Sequence, residues 1–87
     1  MSITIKPNTY YKKYYTYRNL SWQQQLVLLL TDTKHVYEIA YKHIDEPIVK
    51  HDNKIMCMTI ENWQEYINTH YTIIEEISKE DLFLELL

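Results

Sequence analysis

Glycine is absent from the 87-residue chain, where average usage of about 7% would place roughly six. The loss excludes several chemistries on steric grounds. A phosphate-cradling P-loop and a dinucleotide-binding GxGxxG turn both need glycine so that the backbone can approach the ligand. The nucleophile elbow needs it for a strained turn, and the GXXG clamp of single-strand RNA modules needs it for close approach. The familiar nucleotide-dependent enzymes are therefore not expected. Cysteine is nearly absent too. Cys57 stands alone, so it has no internal disulfide partner and no cysteine pair for zinc. Its neighbours Met56 and Met58 suggest a small buried hydrophobe. Long apolar runs are also missing: the longest, Leu26 to Leu30, is far too short to cross a bilayer. The opening "MSITIKPNTYYKK" lacks the basic-then-apolar order of a secretory signal. A soluble, cytoplasmic chain with no membrane partner is the expectation.

What is present fits one small domain spanning residues 1–87. Hydrophobic residues make up 46% and charged residues 24%, a globular rather than disordered balance. A chain of this size hides only about 60–65% of the surface its unfolded form exposes, so its stability margin is thin. The net charge of −3 is unevenly spread. Residues 1–18 carry Lys6, Lys12, Lys13 and Arg18 with no acid. Residues 59–87 carry Glu61, Glu65, Glu75, Glu76, Glu80, Asp81 and Glu85 against Lys79 alone. A basic head and an acidic tail can present two faces of opposite sign.

Periodicity predicts an α+β fold: an antiparallel β-meander of about four or five strands with one or two helices packed on it. "SITIK" alternates Ile3 and Ile5 and reads as a short strand stopped by Pro7. "TYYKKYYTYR" (residues 9–18) fits a helical stripe or a strand, with the extended form preferred because Tyr and Thr favour it. "QQLVLLLTDTKHVYEIAYKHI" reads as a hairpin around "TDTK", with Val36, Glu38, Ala40 and Lys42 alternating against Tyr37, Ile39, Tyr41 and His43. Ser21 with Gln24 offers the alternative of a capping box opening a helix at Trp22. "IVK" and "KIMCM" read as two short strands separated by an Asn/Asp turn at "HDNK". "TIENWQEYINTH" is a helix capped by Thr59, with Ile60, Trp63 and Ile67 on one face. "YTIIEEI" returns as a strand. In "SKEDLFLELL", Ser78 caps a last helix whose apolar stripe is Leu82, Phe83, Leu86 and Leu87.

Catalytic and metal chemistry find little support. His35 and His43, eight apart on one strand, would share a face but stand about 26 Å apart. His43, His51 and Cys57 lack the short spacings of structural zinc sites. Glu75 and Glu76 should point to opposite sides of a strand, while Asp45–Glu46 and Glu80–Asp81 sit where turns and caps favour acids. Neither catalytic residues, nor a metal, nor a cofactor is expected, and the chain is read as no enzyme. Two surfaces remain as binding candidates. Tyr11, Lys13, Tyr15, Tyr17 and Arg18 form an aromatic, basic one, suited to a protein partner or to stacking bases of a single-stranded nucleic acid. Glu61, Glu65, Glu75, Glu76, Glu80 and Asp81 form an acidic one, able to imitate rows of phosphates before a basic groove.

The Ile/Lys/Asn/Tyr/Glu-rich wording, the compact "TIENWQEYINTH" helix and the lopsided charge of "IIEEISKEDLFLELL" resemble small accessory proteins of phages and mobile elements of low-GC bacteria. That resemblance implies a non-enzymatic inhibitor in the host cytoplasm. It would block a nucleic-acid-handling or defence protein, such as a CRISPR effector, by stoichiometric contact. The alternatives are a single-strand nucleic-acid binder using the basic head, and a self-associating homodimer whose "DLFLELL" leucines lack room in the core.

Overall fold

The run Leu26–Leu30 lies at the centre of the fold. A strand that is apolar at consecutive positions rather than alternate ones needs cover on both faces, and the computed structural model of the protein provides it. The structure describes residues 3–14, 24–43, 45–69 and 73–87. Among them are strands β1 (Tyr10–Tyr14), β2 (Gln24–Thr31), β3 (His35–His43), β4 (Val49–Thr59) and β5 (Ile73–Ile77), with helices α1 (Ile60–Thr69) and α2 (Lys79–Glu85). The strands form one antiparallel sheet in the order β4-β3-β2-β1-β5. The domain is α+β.

Alternate residues of β2 serve two cores. Val27 and Leu29 join Ile5, Tyr11, Val36 and Trp63 beneath α1. Leu26 and Leu28 join Ala40 and Leu82 beneath α2. Thr59 caps α1 by accepting from the Asn62 backbone N–H at 3.1 Å, and Ser78 caps α2 through the Asp81 N–H at 3.1 Å. Each cap satisfies an N–H that the first helical turn otherwise leaves without a partner. The fold is thus three layers, α1 over the sheet over α2.

Several expectations are corrected. Residues 3–6 of "SITIK" form no strand. Both sides of β1 are already taken, by β2 and β5, so Ile3 and Ile5 bond instead to α1. The Ile5 N–H donates to Gln64 Oε1 at 2.7 Å, and Gln64 Nε2 donates to the Ile3 carbonyl at 2.8 Å. "HDNK" does not separate two strands, because β4 runs through it. The turn residues survive as an irregularity: Glu38 pairs with Ile55 while Ala40 pairs with Lys50, so four residues of β4 oppose one of β3. The meander covers β1 to β4 only. β5 crosses to the far edge, where it makes five consecutive regular pairs with β1. Alternation in β3 breaks at Ile39, since Leu28 pairs with Ala40 and Leu29 with Glu38. Val36 and Glu38 therefore face α1 while Ala40 faces α2, and His35 and His43 end on opposite faces.

The hairpin is as expected, with Gln24 opening a strand. The extended reading of residues 9–18 holds over Tyr10–Tyr14. Residues 15–18, the Ser21 cap, Trp22 and His70 lie outside the described residues.

Candidate protein-contact surface

The head of the chain provides much less free surface than its composition suggested. Tyr11 is 0% exposed and lies in the core beneath α1, its ring centroid 6.5 Å from that of Trp63. Its hydroxyl accepts the Lys6 N–H at 2.9 Å. Lys13 is buried beside it, with its ammonium 5.9 Å from the Trp63 ring centroid. Both were expected on a contact surface. Register with β2 turns them inward instead, opposite Leu29 and Val27. Tyr10 and Tyr14 pack on the α2 side. Tyr15, Tyr17 and Arg18 are outside the described residues. Lys12 bonds Glu85 Oε1 at 2.8 Å and lies 3.6 Å from Glu75, and the Glu85 bond holds its ammonium well above the usual lysine range. Lys6 pairs with Glu76 at 2.9 Å, which raises it likewise.

The acidic residues fall into two sets. Glu75 pairs across β1 with Lys12 and Glu76 with Tyr11, so the two carboxylates point to opposite faces. Glu61 and Glu65 are exposed on α1, and Glu76 shares that side of the sheet. Glu75, Glu80 and Asp81 lie on the α2 side. The six acids do not form one continuous patch.

Reactive side chains are dispersed. His51 Nε2 lies 2.7 Å from Glu38 Oε2, a contact that ties β4 to β3 across the surplus residues. His51 and His43 both flank the Tyr41 ring, at centroid distances of 5.5 and 5.2 Å. Among the described residues, no three His, Cys, Asp or Glu side chains converge as metal ligands would. Cys57 is exposed rather than buried, because β4 is an edge strand. Partial shielding of its sulfur, then the Glu38 charge, push the thiol above its ordinary value. The thiolate that nucleophilic catalysis requires is disfavoured.

The outstanding surface is the outer side of α2. Leu82 and Leu86 face the sheet. Phe83, Leu84 and Leu87 face away, 68%, 65% and 84% exposed. Phe83 and Leu84, with Lys79 and Glu80, line an open groove of about 510 Å³. A second groove of about 410 Å³ lies at the other end of the helix, between Leu86, Leu87 and Glu85 and the β3–β4 residues Lys42, Pro47, Ile48 and Lys50. Sequence reading assigned Phe83 and Leu87 to the same stripe as Leu82. Their spacing carried the missed signal: over "LFLELL", apolar residues spread across more than half of the helix circumference, wider than the single face a short surface helix can bury.

Other exposed hydrophobics (Val49, Ile55, Met56, Ile73) are strung along the two edge strands. Both edges are blunted. β4 carries Lys50, Lys54 and the bulge, and β5 is five residues long with two glutamates. Such devices discourage strand addition. No helix is long and apolar enough to cross a membrane among the described residues. No protein-family model, curated protein or solved structure matches the chain.

Proposed function

We propose that this chain is a non-enzymatic binding protein that acts by stoichiometric protein–protein contact, with the outer face of α2 as its contact surface. One observation carries the reading: Phe83 and Leu84 stand in solvent on α2, and Leu87 just beyond its end, while the opposite side of the helix already fills the core. In water each such side chain forgoes about 1.5–3 kcal/mol relative to burial, and contiguous exposed apolar surface rimmed by charge marks an interface. The charges around it are Lys79, Glu80 and Asp81, with Glu75 on the neighbouring strand. The resemblance to phage and mobile-element accessory proteins makes a nucleic-acid-handling or defence protein of the host the expected class of target, blocked by occupancy. The acidic flank suits the basic groove of such a protein.

The test is capture from lysate of the source organism or its host, with and without nuclease, using the wild-type chain and the double variant Phe83→Ser/Leu84→Ser. Retention of a protein that resists nuclease and is lost in the variant supports the reading. Retention that vanishes with nuclease and persists in the variant instead favours a single-strand nucleic-acid binder, working through residues 15–18.

A further inference from the structure

The outer face of α2 is self-complementary, and we infer that it is covered by a second copy of the same chain, the two α2 helices crossing antiparallel about a twofold axis. The inference rests on reading this face as a contact surface and names what occupies it in the free chain, a second copy that a target protein would have to displace.

The distribution of charge around α2 carries the argument. At the N-terminal end of the helix, Glu80 and Asp81 are exposed and outnumber Lys79. At its C-terminal end the neighbouring sheet supplies Lys42 and Lys50, both exposed, which line one groove with Leu86 and Leu87. Glu85, which lines the same groove, is already held by Lys12 at 2.8 Å. The helix therefore has a net negative end and a net positive end, with Phe83, Leu84 and Leu87 between them. An antiparallel crossing lays the negative end of one copy beside the positive end of the other. Twofold symmetry then makes the contact twice, as an isologous interface requires. A parallel crossing would set like ends together, which costs stability.

Size also points beyond the helix. Seven residues span about 10 Å, too short a helix to supply by itself the roughly 800 Å² per partner of a standard interface. The β3–β4 groove, with Pro47 and Ile48, lies alongside α2 and extends the contact on each copy. The groove shares Leu87 with the exposed apolar set, so a docking that covers Leu87 reaches it.

Sedimentation equilibrium of the full chain across a broad concentration range tests this. We expect twice the chain mass at the upper end, dissociating on dilution. Leu84→Glu should stay monomeric while keeping its far-UV circular dichroism, since Leu84 points away from the core. Two charge variants, Lys42→Glu/Lys50→Glu and Glu80→Lys/Asp81→Lys, should each weaken self-association about tenfold or more. Mixed together they should recover it, because every reversed charge then faces a reversed partner. A wild-type monomer at all concentrations overturns the inference, and so does a dimer that survives Leu84→Glu or a mixture that fails to recover. A monomer that still retains a lysate protein through Phe83 and Leu84 overturns the second copy as occupant while leaving α2 as the contact surface.

Discussion

At the scale of single residues, the missing glycines are replaced by Asn and Asp. Among the described residues, those in the left-handed region are Asn8, with φ 53°, and Asp45, with φ 60°. These two types enter that region at the least cost because a short polar side chain can bond locally. Asn8→Ala should destabilise the domain by about 1 kcal/mol, and Asn8→Gly should be tolerated, as denaturant unfolding would show. Asp32 organises the β2–β3 turn. Its carboxylate accepts from the Lys34 N–H at 2.7 Å, the His35 N–H at 2.6 Å and the Tyr37 hydroxyl at 2.8 Å. The two backbone bonds, then Tyr37, lower its pKa from the ordinary 3.8 to about 2. A lowered carboxylate pKa contributes stability that is complete above the unfolded value and lost as pH falls through the folded one. The stability gap between wild type and Asp32→Asn should therefore be constant above about pH 4 and close between pH 4 and 2, as urea titrations across that window would show. Much of this was legible in "TDTK", where Asp and Thr announce a turn. That Asn8 and Asp45 in particular would adopt positive φ was not, because the requirement comes from how flanking segments meet.

At the scale of elements, the helices were the most legible parts. Thr59 and Ser78 are cap residues by chemistry alone, and both cap. Ser78→Ala should cost about 1 kcal/mol, and it should raise amide exchange along α2 more than along α1. Trp63 is buried against Tyr11, so Trp63→Ala should cost about 3–5 kcal/mol, a large share of the margin of so small a domain, read as a lowered unfolding midpoint. The strands were legible only in part. A continuous apolar run marked β2 and alternation marked β3, but neither can reveal a bulge, and the one at Ile39 reverses which face Ala40 and Lys42 occupy. The placement of β5 beside β1 is a long-range choice between two edges, and no local pattern encodes it. The basic head misled for the same reason. Tyr11 and Lys13 look like surface residues until α1 is laid over them.

At the scale of the whole molecule, the sheet has two covered faces and two blunted edges, and the outer side of α2 is where apolar surface gathers. The composition indicated a binding protein, through its size and its lack of catalytic motifs, and it suggested charged surfaces for the contact. The structure instead divides the acids between two faces and pairs Lys6 and Lys12 with carboxylates. Phe83, Leu84 and Leu87 are left as the natural anchor. The most direct measurement is site-specific photo-crosslinking in cells or lysate. A photoreactive phenylalanine analogue would replace Phe83, and the same probe at the exposed turn position 33 would serve as control. We expect a discrete protein adduct from position 83 and none from position 33. No adduct from position 83, or equal labelling from both positions, would contradict α2 as the contact surface.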